Sequence, residues 1–204
     1  MRKAEKLIIA LLFFPSPILF CMLVAAVSIF LCDIKDPFAG YLGLSSIVVG
    51  VFIDIIFLKS WIKKAYEFGS LALAFVYIFY SIIAWGMGMG VPLFNFGLGV
   101  LAGIYIAFRL NSYNAQEHEC KQEIKKCAFF TAAVLLFVCC LSGLWAIIGG
   151  LVGTEFETGA INFTFTIKII ITLTLAGGFI LALLQFWLTK AAATTTLKIK
   201  QKFV

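Results

Sequence analysis

Asp54 is the one carboxylate set within a long apolar stretch of this chain, in the run GVFIDIIFLKS. A charge at the centre of a bilayer costs at least ~2.5–3.5 kcal/mol, so an acid placed there is a functional candidate by default. The chemistry open to it is the binding of a proton, a cation or a small solute. Helical spacing puts Gly43, Ser46, Gly50 and Asp54 on one stripe of small and polar residues, and such a stripe packs against helices rather than lipid. Lys59 follows five residues later, about 7 Å along a helix, which brings the carboxylate within reach of the inner boundary.

Other apolar stretches carry polar groups at a similar distance from a positive residue. Tyr105 precedes Arg109, Thr131 follows Lys126 and Gln185 precedes Lys190, each roughly 6–8 Å inside the same boundary. If their faces converge, Asp54, Tyr105, Thr131 and Gln185 form an intramembrane polar layer open to the cytoplasmic side. The plainer alternative is that these groups only join helices, since interhelical hydrogen bonds are worth ~0.6 kcal/mol on average.

Other chemistries find little support. His118 stands between Glu117 and Glu119 near Cys120, but consecutive helix positions point apart, so no metal is expected. It is the only histidine, which rules out bis-histidine haem within one subunit. The six cysteines show no CxxC spacing and read as small apolar fillers. No HExxH and no Ser/His dyad occurs in the spans, and the glycine run GMGMG precedes a span on the outer side, where no nucleotide loop is expected. The chain is not expected to be an enzyme or to hold a cofactor.

The elements that would position the polar layer follow from composition. At 63% hydrophobic and 13% charged, with mean hydropathy +1.08, the chain is far from soluble domains, which run about half apolar and a quarter charged. We expect an all-α polytopic membrane protein with no soluble domain. Its six spans fall at about 7–31, 41–58, 71–85, 93–108, 127–152 and 169–188. The first follows MRKAEK as a signal peptide would, and Val24-Ala25-Ala26 is a passable cleavage sequence. The apolar run outlasts the 7–15 residues typical of a signal h-region, so a retained helix is expected, kinked at Pro15 and Pro17. Spans three and four are short, and the turn Gly86–Pro92 between them is expected to dip into the membrane.

Charge orients the stack. With the amino terminus inside, 14 of the 16 lysines and arginines fall on the inner side, and only Lys35 and Lys168 fall outside. The positive-inside rule then puts both termini in the cytoplasm. The net charge of +6 serves topology and anionic headgroups at the inner face, not nucleic acid. A cytoplasmic membrane of bacterial or archaeal type is the expected location.

Residues 109–126 form the one long polar break, and 189–204 a basic cytoplasmic tail. Gln116 to Lys126 lacks Gly and Pro, and Glu117 and Lys121 are spaced i,i+4, so this stretch should extend span five as a helix. Lys121, Lys125, Lys126, Lys198, Lys200 and Lys202 are candidate contacts to lipid or to a cytosolic partner. Small residues at a spacing of four mark helix-packing faces: Gly99, Gly103 and Ala107; Ala146 and Gly150; Thr174, Gly178 and Ala182. These faces serve packing within the chain or a homo-oligomer.

Two functions follow. The first is a small transport-type protein (permease, channel or membrane subunit of a transporter) built on the layer around Asp54. The second is a non-transporting scaffold or sensor that recruits a cytosolic partner through 109–126 and the tail.

Overall fold

The computed structural model describes residues 3–35, 37–87, 94–113, 115–150, 155–158, 161–164 and 166–202. The glycine turn lies outside them from Gly88 to Pro92. The chain divides into two compact units, Met1–Leu73 and Ala74–Val204.

In the first unit, α1 (Lys3–Phe13) and α2 (Pro15–Leu31) run on through the helical backbone of Phe14 as the one apolar stretch expected there, interrupted at Pro15. Pro15 supplies the reason, because a proline fits the first position of a helix but breaks an interior ladder. Ile9 of α1 and Ala65 are fully buried together, ringed by Leu58, Trp61, Ile62, Tyr66 and Phe68. The Tyr66 hydroxyl donates to the Glu5 carboxylate at 3.4 Å. Helix α3 (Phe38–Lys64) continues six residues beyond the expected end at Leu58 and carries Lys59, Lys63 and Lys64 on its last turns. The only buried residues described in α3 are Ser46, Gly50 and Asp54. Gly50 lets α2 approach: a Cβ there would stand 2.5 Å from the Ile18 Cα.

The second unit begins inside α4 (Ser70–Met87) and continues with α5 (Phe94–Ser112) and α6 (Glu117–Ile148). The Gln116 backbone N–H donates to Glu119, a capping-box contact that fixes where α6 starts. A long apolar helix closes the chain: α7 (Ile167–Thr172), a π-helical turn (Leu173–Gly177) and α8 (Gly178–Lys202).

Three differences from expectation have physical causes. The architecture is all-helical, as expected, but the loop between α6 and α7 holds a short hairpin in which β1 (Glu155–Thr158) pairs antiparallel with β2 (Ile161–Thr164). Each strand holds a Phe and a Thr, residues that favour pleated backbone. Gly150, expected on a packing face, lies beyond the end of α6 at φ +82°, with no atom of the described residues within 4 Å of an added Cβ. Gly143 makes the close approach instead, facing the Thr174 side chain. And α8 does not stop near Leu188. Ala193 is fully buried against Leu110 and Ile124, with Ile106, Cys120 and Leu197 around them, so the tail has a packed face to continue along. Lys198 is exposed on it, and Lys200 and Lys202 fall on its last turns, their side chains outside the described set.

Helix α8 is the spine of this unit, with α5 and α6 packed closely on it. Gly103 of α5 faces the Thr189 backbone, and a Cβ added at Gly178 would stand 3.0 Å from the Cys139 Cβ of α6. Ala107 and Ala182 are buried, while Ala146 is half-buried. Helix α4 is held by long side chains: Trp85 Nε1 donates to Ser142 Oγ at 2.8 Å, Trp85 meets Trp145 edge-on, and Tyr77 meets Phe130. Trp85→Phe, which keeps the ring contact and loses the N–H, is expected to destabilise the chain by about 1 kcal/mol, read from thermal unfolding in detergent.

Candidate functional site

The buried polar groups of the second unit gather around Gln185, which is fully buried on α8. Gly99 makes room for it, since a Cβ at that position would fall on the Gln185 amide nitrogen. That nitrogen donates to the Asn95 backbone carbonyl at 3.3 Å and to Thr189 Oγ1 at 3.5 Å. Thr189 Oγ1 lies 3.0 Å from Thr131 Oγ1, which donates to the Ala128 carbonyl at 3.0 Å. Each hydroxyl has one proton, so Thr189 donates to Thr131 and the relay runs Gln185, Thr189, Thr131, Ala128.

With both amide hydrogens directed this way, Gln185 Oε1 is left over. The Tyr77 hydroxyl of α4 lies beside the side chains of Ser81 and Gln185. Tyr77 Oη, Ser81 Oγ, Gln185 Oε1 and both polar atoms of the Asn95 side chain are buried with no hydrogen-bond partner among the described residues. Ser81 is 0% and Asn95 1% exposed. A buried polar group without a partner costs roughly 1–3 kcal/mol, so such a concentration calls for a reason.

The first unit holds the other candidate. Asp54 is 1% exposed, and neither carboxylate oxygen has a hydrogen-bond partner among the described residues. A carboxylate in that setting needs a proton or a cation as its companion.

Of the four residues expected in one layer, Thr131 and Gln185 are joined through Thr189. Tyr105 lies farther along α5, near Arg109 and Tyr113 and ten residues beyond Asn95, about 15 Å by helical rise. Asp54 belongs to the other unit. Sequence reasoning passed over Tyr77, Ser81, Asn95 and Thr189. The i,i+4 pair Tyr77 and Ser81 was the available signal, because both fall on one face of a largely apolar helix.

At the polar break, Lys121 pairs with Glu117 and Lys126 with Glu123, each at 2.7 Å and exposed. The Lys121 ammonium holds the Glu117 carboxyl below its usual range, and burial with Glu119 nearby pushes the Cys120 thiol up. His118 faces Gln122. No three metal-binding side chains come together among the described residues.

Five helices are long and apolar enough to cross a membrane: Glu5–Leu31, Phe38–Lys64, Phe94–Ser112, Glu117–Ile148 and Ile167–Ile199, with Ser70–Gly86 a shorter apolar helix. Large apolar side chains cover their outer faces, among them Phe30, Phe52, Ile55, Phe129, Trp145 and Leu175. Fold and surface together define an α-helical membrane protein. Set beside known proteins, the chain matches no family model, no curated protein and no solved structure.

Proposed function

We propose that this chain is a small transport-type membrane protein (permease, channel or membrane subunit of a transporter) that crosses six times with both termini in the cytoplasm. The observation that carries the reading is the burial of Asp54 with both oxygens unpartnered. A fold with no use for a charge would place an apolar residue there, so the acid is retained for a proton or cation it exchanges. The 18 residues of α4 supply the sixth crossing, about 27 Å at helical rise, close to the hydrocarbon thickness.

The experiment is flux into proteoliposomes loaded with a pH-sensitive dye, with proton and monovalent-cation gradients imposed in turn. Asp54→Asn keeps the shape and removes the charge, and it is expected to cut flux at least about tenfold. Flux equal to that of the unsubstituted chain would remove Asp54 from the mechanism.

The scaffold reading draws on the cytoplasmic ends of α5, α6 and α8, which share the Leu110–Ile124–Ala193 core. It has less support, because two of its docking lysines, Lys121 and Lys126, already sit in local ion pairs.

A further inference from the structure

We infer that α1 is a hinged lid over Asp54, bending at Pro15 and Pro17 to open the carboxylate to the cytoplasmic side. The inference rests on the proposed role of Asp54. An acid that is 1% exposed cannot exchange a proton or cation with water unless its cover moves.

What covers α3 changes from one turn to the next around this residue. One turn before Asp54, Gly50 lies against the backbone of Ile18 in α2, where an added Cβ would stand 2.5 Å from the Ile18 Cα. One turn after it, Leu58 packs on the cluster that Ile9 of α1 forms with Ala65. Gly50, Asp54 and Leu58 share one face of α3, being spaced by four. Asp54 is therefore matched to the stretch between Ile9 and Ile18, where α1 gives way to α2. Its outer flank is roofed by α2 and its inner flank by α1.

That junction is built to bend. Proline has no N–H, so the Leu11 and Phe13 carbonyls receive no ladder bond from Pro15 and Pro17. Phe14 keeps helical dihedrals, φ −54° and ψ −44°, and its N–H still bonds the Ala10 carbonyl at 2.8 Å. The helix runs on, but with two gaps within one turn, the usual place for a helix to kink.

The two sides of the hinge are held unequally. Helix α2 packs closely along α3, and α1 touches α3 far more lightly. Among the described side chains of α1, only Glu5 and Ile9 are buried, and the Tyr66 hydroxyl reaches Glu5 at a long 3.4 Å. Segments with few buried apolar contacts open first in a folded protein. Movement of α1 would uncover the turn from Asp54 to Leu58 while the α2–α3 seam stays closed.

The test is chemical access to the Asp54 carboxyl of the full chain in lipid nanodiscs. A water-soluble carbodiimide couples glycine methyl ester to it as an amide. Peptide mass spectrometry reads the rate at Asp54 against that at Glu67, which is exposed. Ile9→Ala removes the buried apolar anchor of α1 and is expected to raise the Asp54 rate about tenfold while Glu67 is unchanged. Oxidising an Ile9→Cys, Ala65→Cys pair to a disulfide holds the lid shut, and it should slow labelling at Asp54 until the pair is reduced. An Asp54 rate that the disulfide does not slow, or that Ile9→Ala does not raise, would overturn the lid. The labelling is independent of flux. Rates that follow the lid beside normal flux in Asp54→Asn would keep the lid and remove the transport role. Rates that ignore it beside flux lost in Asp54→Asn would do the reverse.

Discussion

Replacing Gly103 with alanine is expected to lower the stability of the chain by about 2 kcal/mol, although the change adds one methyl group. The size follows from what the methyl would meet. At position 103 a Cβ would press on the Thr189 backbone carbonyl, with the Ala192 Cβ at 3.2 Å and the Ala193 nitrogen at 3.3 Å. Two of those three atoms belong to the backbone of α8, which cannot rotate away as a side chain can. The helix must move as a whole, and α6 is packed on it as well. Gly97 is the internal control. It lies on the same helix with nothing within 4 Å of an added Cβ, so alanine there should be neutral or stabilise by up to about 1 kcal/mol through backbone entropy. Gly99→Ala should fall between them, because the atom it meets first is the end of the Gln185 side chain. Reversible unfolding in mixed micelles with increasing sodium dodecyl sulfate reads all three. Equal midpoints for Gly103→Ala and Gly97→Ala would show that α5 and α8 are not in this register.

The same seam shows what a sequence of this kind discloses. Small residues at spacing four on α5 can be read directly, since only close backbone approach gives a run of Gly99, Gly103 and Ala107 a purpose. The α3 stripe is legible for a similar reason: a carboxylate and two small residues cannot usefully face lipid, and Ser46, Gly50 and Asp54 are the residues α3 buries. The forward extension of α6 is legible from its lack of Gly and Pro. Depth is another matter. Counting residues inward from Arg109, Lys126 and Lys190 assumes that every helix meets the interface at its positive residue. Helix α8 runs on past Lys190 because Ala193 and Leu197 have an apolar seat. Gln185 therefore pairs with the start of α5, at Asn95 and Gly99, and Tyr105 falls outside that layer. Thr189 was hidden by the adjacent lysine, and Asn95 by its place at the beginning of a short span. Hydrophobicity identifies which stretches become helices in a membrane, but the pairing of their faces depends on shape complementarity that a single chain of letters does not display.

Glutamate at position 185 is expected to be far worse tolerated than leucine, and the contrast shows whether the fold depends on the amide. Gln185→Leu removes two long donated hydrogen bonds, at 3.3 and 3.5 Å, each worth roughly 0.5–1.5 kcal/mol at best. It also removes Oε1, an unpartnered buried acceptor whose desolvation costs about 1–3 kcal/mol. The two changes nearly cancel, so leucine should leave stability within about 1 kcal/mol. Gln185→Glu has the same length but brings oxygens where the amide donated, facing the Asn95 carbonyl and the Thr189 hydroxyl. An uncompensated charge in a fully buried position should cost about 3 kcal/mol or more. Unfolding midpoints for the two variants, measured side by side in the same micelles, decide the matter. A leucine variant as unstable as the glutamate one would mean that the amide holds the helices together and the cluster is interhelical glue. A leucine variant that folds normally would mean that the fold has no need of the amide.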